Sequence, residues 1–220
     1  MGIPAINVVC LRCQSCGEHL AGRDFDRVFF CPACRRAFEA GPTGLEELEF
    51  REAGGTGGAD ADELFLPMWM FDVDVQAARA SDEQRTRAAG FFGRVKVFVS
   101  AFRLSHKGFY GDPGVALTRH WYLKVKPGEA PEPALEKTVG VIPPGCTVGS
   151  SRAMQYAEPV LLLVIDPVVD VTGLELKMAF EKKTLLSVRF HRNDRRVKCL
   201  DLAEEYPEHA FPDLVCSADK

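Results

Sequence analysis

The sequence predicts an α+β protein in which a small cysteine-rich unit precedes a mainly antiparallel α+β domain. Three observations lead to this fold class. Two Cys-x-x-Cys pairs lie near the N-terminus, several segments alternate with the period of β-strands, and one helical stretch follows Ser150 or Ser151. With 220 residues, 46% of them hydrophobic, the chain is long enough to bury a core.

Composition predicts four segments. Residues 1–40 form the cysteine-rich unit, 41–63 an acidic, glycine-rich linker, 64–209 the α+β domain and 210–220 a frayed tail. The linker carries Gly-Gly-Thr-Gly-Gly at 54–58 among many Glu and Asp residues, which is typical of a flexible connector. At its start, residues 45–50 have enough apolar character to add a short strand or helical turn to the first unit.

The first strand of the α+β domain has apolar residues at alternate positions from Phe65 to Val75. In its first half Leu66, Met68 and Met70 make the opposite side apolar as well, so we expect burial on both faces there. A second strand is predicted over residues 95–102. A third is predicted over 121–126, where Pro127 and Gly128 end it.

A helix is predicted to follow these strands, with Ser150 or Ser151 as its N-cap and an end near Ile165. Pro159 is expected to break or kink it. The last part of the domain has three alternating segments, at 174–180, 185–191 and 197–202. Polar turns containing Glu-Lys-Lys and Arg-Asn-Asp-Arg separate them, so we predict an antiparallel meander.

The paired cysteines predict a metal site with the ligands Cys13, Cys16, Cys31 and Cys34. Each Cys-x-x-Cys turn supplies two thiolates, and two such turns complete the tetrahedral set that structural Zn²⁺ requires. Fourteen residues separate the pairs, which is enough for a hairpin that returns the second pair to the first. Gly17 after the first pair suits the positive φ of such a knuckle, whereas Arg35 after the second is less favourable.

In this stretch the sequence resembles bacterial zinc-ribbon domains, including those at the front of RNA-polymerase-associated and scaffold proteins. The segment Leu-Pro-Met-Trp-Met-Phe at 66–71 resembles a Leu-Pro-aromatic-Trp-x-Phe stretch of bacterial proteins in which a zinc ribbon precedes a larger α+β domain. In that family a later strand ends in Pro-Ala-Phe, and residues 99–102 depart from it at Ser100. The resemblance implies the architecture and a structural Zn²⁺, and it implies no activity.

Cys10 leaves an alternative open for the metal. Cys10, Cys13 and Cys16 form a Cys-x2-Cys-x2-Cys run that resembles the start of a bacterial ferredoxin motif, but Leu20 stands near the place of the fourth cysteine. We interpret Cys10 as an apolar residue of a short strand. An iron-sulfur or thiol redox protein stays as an alternative function.

The final meander carries a cluster of basic residues that we interpret as a possible docking patch. A solvated face, a surface for an acidic protein segment and a phosphate contact all fit this composition. The patch consists of Lys182, Lys183, Arg189, Arg192, Arg195, Arg196 and Lys198.

Charge and composition limit the function further. The formal net charge of -4 and the pI near 5.8 disfavour a general nucleic-acid binder. The start of the chain has no secretory signal, and no apolar run approaches the roughly 20 residues of a membrane span. Eight cysteines in this arrangement favour reduced thiolates, so we expect a cytoplasmic protein.

The histidines fall in no nucleophile motif, and we predict no catalytic residue. The expected function is a non-enzymatic, zinc-binding interaction or scaffold protein in a larger protein assembly of unknown partners. The alternative is a transcription- or nucleic-acid-associated zinc-ribbon factor. That factor would use the basic meander together with Arg12, Arg23, Arg27, Arg35 and Arg36.

Overall fold

The computed structural model describes residues 10–53, 63–104, 113–123, 135–136, 142–143, 146–199 and 205–211. Its strands are β1 Val28–Phe30, β2 Ala37–Gly41, β3 Gly44–Leu48, β4 Phe50–Ala53, β5 Glu63–Arg79, β6 Gly93–Ser100, β7 Leu135–Glu136, β8 Glu175–Asn193, β9 Arg196–Cys199 and β10 Glu205–Pro207. Its helices are α1 Asp82–Arg87, α2 Pro113–Leu123 and α3 Ser150–Ile165, with short 3-10 turns at Ala89–Phe91 and Glu208–Ala210. This combination of mostly antiparallel sheets and helices confirms the predicted α+β class.

The strands form two sheets. The small sheet is antiparallel in the order β1-β2-β3. Together with the cysteine turn before it and the cysteine turn between β1 and β2, it makes up what we call the knuckle unit, residues 10–48. In the large sheet, β8 is central: β5 runs antiparallel along one edge, while β9 and the parallel β4 share the other edge. Strands β6, β7 and β10 extend the sheet from β5, β4 and β9.

The large sheet is covered on both faces near its middle. On one face Trp69 and Phe71 of β5 join a core with Ala157 and Leu161 of α3. On the other face Met68 of β5 belongs to a second core that includes residues of α2. The alternation of β5 therefore predicted both buried faces correctly, because side chains of successive strand residues point to opposite sides.

One long strand replaces two predicted ones in the meander. Strand β8 runs through Glu181, Lys182 and Lys183 without a turn, and the register shifts there, since Phe180 lies opposite Val73 and Lys182 opposite Asp72. A β-bulge at Glu181 accounts for the shift. Because the bulge inserts one residue, the apolar residues before and after it no longer keep the same alternation along the strand. In the sequence this change resembles a break between two strands. The second predicted turn is confirmed, with Asp194 and Arg195 at positive φ between β8 and β9.

The predicted strand at 121–126 is wrong over residues 121–123, which end helix α2; residues 124–126 lie outside the described residues. The helix begins at Pro113, where a missing backbone N–H is tolerated, and it buries Val115, Ala116 and Leu117. Its Thr118 Oγ1 accepts a hydrogen bond from the Phe98 N–H of β6 at 2.9 Å. Burial against β6 outweighed a strand pattern that was only six residues long.

The predicted linker contains two strands. Strands β3 and β4 occupy most of 44–53. Of the short strand or helical turn expected at 45–50, the structure has the strand, which is contrary to a flexible connector there. Two of the acidic side chains pair with cations from other segments, so their charge does not prevent order: Glu47 pairs with Arg36 and Glu46 with Lys183. Residues 54–62 lie outside the described residues. The division into domains stays a prediction.

The C-terminal boundary also differs from the expected one. Phe211, placed in the predicted tail, is fully buried, with its ring 5.7 Å from Phe102 and 6.1 Å from Tyr206. The core of the domain therefore extends at least to residue 211.

Among the helices of the described ranges, none has the length and apolar character needed to cross a bilayer.

Candidate metal centre

The first cysteine turn is shaped by backbone hydrogen bonds. The Gly17 N–H donates to the Cys13 carbonyl at 2.9 Å, and the Cys13 N–H donates to the Glu18 carbonyl at 2.8 Å. Gly17 has φ of +78°, the left-handed conformation that closes such a turn and that glycine adopts without steric cost. The turn thus brings Cys13 and Cys16 to the same side.

The second turn repeats this pattern. The Arg35 N–H donates to the Cys31 carbonyl at 2.9 Å, and the Cys31 N–H donates to the Arg36 carbonyl at 2.8 Å. Arg35 has φ of +60°, so it adopts the same left-handed conformation as Gly17 in spite of its side chain. The sequence predicts a less favourable turn at Arg35. A residue with a side chain at positive φ carries a small local strain, but the turn keeps the hydrogen bonds of the first turn.

The four thiols converge on one point. All four Sγ atoms lie within 4.8 Å of one another, with Cys13 and Cys34 3.5 Å apart and Cys16 and Cys31 3.4 Å apart. Four sulfurs bound to Zn²⁺ at about 2.3 Å in a tetrahedron are about 3.8 Å apart. The site is therefore close to the size that a thiolate-bound metal ion requires, and the predicted ligand residues are the ones that meet.

Protonation of the thiols is unequal. Burial raises the pKa of Cys13, but hydrogen bonds from the backbone of Cys16 and Ser15 outweigh it and lower the pKa to about 6. Burial, followed by contact with the Cys31 and Cys13 thiols, raises the pKa of Cys34 to about 12. A metal cation would replace the proton that Cys34 otherwise keeps, because thiolates are the form that binds metal.

The remaining cysteines lie apart from this cluster. Cys10 is exposed and is not part of the group of close sulfurs, which removes the structural basis for a ferredoxin-like run through Cys10. Cys146 is fully buried, and burial, together with the charges of Asp26 and Glu39, raises its pKa well above the usual range. Cys199 is buried as well, and Cys216 lies outside the described residues.

A small apolar cluster supports the cysteine turns. Leu20, Phe29 and Phe38 are buried together with Cys13 and Cys31. The Phe29 ring lies so close to Gly22 that a Cβ there would be 2.4 Å from it, which explains a glycine at this position. The Gln14 Nε2 also donates to the Leu45 carbonyl at 3.2 Å, which ties the first turn to β3.

A buried carboxylate that the sequence did not reveal anchors the knuckle unit to the domain. Glu39 of β2 is only 9% exposed, and its two oxygens accept hydrogen bonds from the Ser150 N–H and the Ser150 hydroxyl, both at 2.6 Å. Lys183 lies 3.3 Å from the same carboxylate and 3.2 Å from the Ser150 Oγ. Glu39 thus caps helix α3, where a negative charge is favourable.

The predicted cap at Ser150 or Ser151 is therefore wrong. Gly149 is the N-cap residue and has no capping side chain, and a Cβ on it would be 2.8 Å from the Glu39 Oε1. A cap supplied from residue 39 leaves no local signal near residue 150. In the sequence, the only feature near the start of α3 that differs from an ordinary cap is Gly149 at the N-cap position, where Ser, Thr, Asp or Asn is usual.

Most of the predicted docking patch is neutralised within the chain. Ion pairs join Lys182 to Glu49, Lys183 to Glu39 and Glu46, Arg189 to Glu63, Arg192 to Glu208 and Arg196 to Glu205. The residues also do not form one surface, since Lys182 and Lys183 lie beside the knuckle unit while Arg196 lies at the far β8–β9 turn. These contacts assign the basic side chains a structural role. Docking at the patch stays a prediction.

Comparison with known proteins identifies no relative. No protein-family model matches the sequence, and neither a curated protein nor a solved structure matches it. The geometry of the cysteine cluster is therefore the main guide to function.

Proposed function

We propose that this chain is a non-enzymatic interaction protein whose N-terminal unit is a zinc ribbon stabilised by one structural Zn²⁺. The observation that carries the proposal is the convergence of the Cys13, Cys16, Cys31 and Cys34 sulfurs within 4.8 Å. Two knuckles with all four positions supplied by the protein leave no open coordination site, which is typical of structural rather than catalytic zinc.

The chemistry of the donor set supports zinc and leaves iron as the competing metal. Four thiolates in a tetrahedron suit Zn²⁺ and also iron, whereas Mg²⁺ and Ca²⁺ prefer oxygen ligands. Elemental analysis of the purified protein tests the choice. We expect one equivalent of zinc and a colourless protein; a coloured protein with stoichiometric iron would replace this proposal with the redox alternative.

An exposed aromatic residue on the knuckle unit supports the interaction role. Phe25 is 84% exposed, at the tip of a turn in which the Arg23 N–H donates to the Asp26 carboxylate at 2.7 Å and the Asp26 N–H donates to the Arg23 carbonyl at 3.0 Å. Exposed aromatic rings held by a rigid turn are typical of residues that fill a pocket of a partner protein. Leu11, 38% exposed, adds apolar surface on the same unit.

A pull-down from the host tests the interaction role, with the wild-type chain and Phe25→Ala compared. We expect partner chains that co-purify with the wild type and are lost with Phe25→Ala, because hot-spot aromatic residues contribute at least about 2 kcal/mol to binding. The exposed Glu83→Ala change, on α1, is the matched control and should retain them. Equal recovery with both variants would show that Phe25 is not the contact residue.

The exposed turn also favours a second candidate, a nucleic-acid-associated factor. Arg23 and Arg27 are exposed on either side of Phe25, and aromatic rings beside arginines bind single strands by stacking and charge. Fluorescence anisotropy with a labelled single strand at varied salt tests it. Affinity that rises steeply as salt falls, and that Arg23→Glu with Arg27→Glu abolishes, would favour this candidate over the protein-interaction role.

A further inference from the structure

Part of one edge of the large sheet has no partner strand among the described residues. Between residues 185 and 193 the edge of β8 opposite β5 is occupied by β4 and β9. From Glu175 to Glu181, no strand in the described part of the chain pairs with that edge. Its backbone N–H and C=O groups alternate along this stretch, and they form a template for another extended segment.

The side chains of this open segment divide into two rows. Leu176, Met178 and Phe180 are half-buried and pack against the core beneath α3. Lys177 and Glu181 are exposed on the other face, with Ala179 between them. An added strand would therefore extend a partly covered apolar row on one face and meet charges on the other.

We propose that a second copy of this chain pairs with this edge, antiparallel and about a two-fold axis through Ala179. In that register Ala179 faces Ala179 of the partner subunit, and Lys177 and Glu181 face Glu181 and Lys177 of the partner subunit. Two opposite-charge pairs thus form by symmetry. On the apolar face Met178 and Phe180 face Phe180 and Met178 of the partner subunit.

The charges select this register among the symmetric ones. In a symmetric antiparallel pair, residues that lie opposite each other point to the same face of the sheet. The two-fold axis therefore passes through one residue, which faces its own copy. An axis through Lys177 places two ammonium groups opposite each other. An axis through Met178 places Glu175 opposite Glu181 twice. Like charges that face each other directly are destabilising. Among the axes that leave at least five residues of each 175–181 segment facing the partner, only the axis through Ala179 pairs opposite charges; an axis through Leu176 pairs Glu175 with Lys177 but leaves only three residues facing.

The contact is a modest one. Five residues from each chain, 177–181, face each other in a short ladder, and the bulge at Glu181 limits its extension. The ion pair between Arg94 and Glu181, at 3.6 Å, is exposed and weak, so Glu181 is available to a partner lysine. Such small interfaces belong to transient or weak complexes. We therefore expect dimers at micromolar or higher protein concentration.

Sedimentation velocity of the full metal-loaded chain over a concentration series measures the dimer. We expect Lys177→Glu to weaken dimerisation by about 10-fold or more, because two attractive pairs become repulsive. Combining it with Glu181→Lys reverses both partners and should restore the wild-type dissociation constant to within about 3-fold. A chain that stays monomeric at sub-millimolar concentration, or a double variant as weak as the single one, would overturn the proposal.

Disulfide trapping measures the register. In a Cys10→Ser background, which removes an exposed thiol, Ala179→Cys should form a cross-linked dimer under mild oxidation, since the two copies of residue 179 face each other within reach of a disulfide. Lys177→Cys is the matched control, because it faces Glu181 and should cross-link at least about 10-fold less. Equal cross-linking at both positions, or stronger cross-linking at 177, would exclude this register and with it the proposal.

Discussion

The two sides of the small β1–β3 sheet are stabilised differently. On one side Phe29 and Phe38 pack beneath the cysteine turns in a cluster of few apolar residues. On the other side Val28 and Phe30 join the large core that contains Trp69. Consecutive residues of one strand thus serve different cores. The cysteine side has too few apolar residues to fold by burial alone, so we expect its folding to depend on a bound metal ion, whereas the opposite side is stabilised by packing against the domain.

The largest expected effect is on the cysteine side. Replacing Cys31 with Ser should abolish metal binding and unfold the cysteine turns, because structural zinc supplies roughly 10–16 kcal/mol to the folding of such units. Elemental analysis and hydrogen exchange measure it. Amides of the turns should lose protection, while those of β5 and β8 keep it.

A matched control for this change is Cys10→Ser, which should keep the metal because Cys10 is outside the cluster. Loss of metal in Cys10→Ser would contradict the four-ligand assignment. Loss of protection throughout β5 and β8 in Cys31→Ser would show that the two sides of the small sheet are not independent.

A smaller effect is expected from the domain side. Phe30 is 4% exposed, with its ring 5.1 Å from Phe50, and Phe30→Ala should lower the free energy of unfolding by about 3–5 kcal/mol with the metal retained. Phe25→Ala, on the exposed turn, should change it by less than about 0.5 kcal/mol. Urea denaturation of both variants measures the difference. If the two variants lost similar amounts of unfolding free energy, the different burial of Phe30 and Phe25 would not account for their contributions to stability.

The Glu39 cap should give an intermediate effect. Glu39→Ala leaves the Ser150 N–H and hydroxyl without their acceptor and Lys183 without one of its carboxylates, at a cost of about 1–3 kcal/mol. A double-mutant cycle with Ser150→Ala isolates the contact. We expect a coupling energy of at least about 0.5 kcal/mol, and additive losses would argue against a direct bond.

The smallest effect is expected at the surface, where Glu49 contacts Lys182 and Arg51. Partial burial raises the pKa of Glu49, but hydrogen bonds from the two cations outweigh it and lower the pKa below its usual 4.5. A lowered pKa in the folded state stabilises the fold above the usual value, and this stabilisation is lost as pH falls through the folded pKa.

Replacing Glu49 with Gln should therefore cost well under about 1 kcal/mol near neutral pH, because exposed ion pairs are screened by solvent. The difference from wild type should vanish in acid below the folded pKa. Thermal unfolding of both chains at several pH values measures it. A difference that grows towards low pH would have the wrong sign for a lowered pKa.

Several features followed from the sequence because short-range physics determines them. The spacing of Cys13, Cys16, Cys31 and Cys34 predicted which thiols converge, since each turn is closed by hydrogen bonds within five residues. The alternation of β5 predicted both of its buried faces, and the polar run before Arg196 predicted the turn between β8 and β9. In each case the pattern lies within the element that it describes.

Only the tertiary structure decided the features that depend on distant partners. The bulge at Glu181 is visible only when β8 lies beside β5, and the cap of α3 comes from Glu39 in another sheet. Basic residues that form one cluster along the chain separate in space, where five of the seven pair with a carboxylate from another segment. A sequence records which residues are neighbours along the chain, whereas charge pairing, capping and register depend on which segments folding brings together.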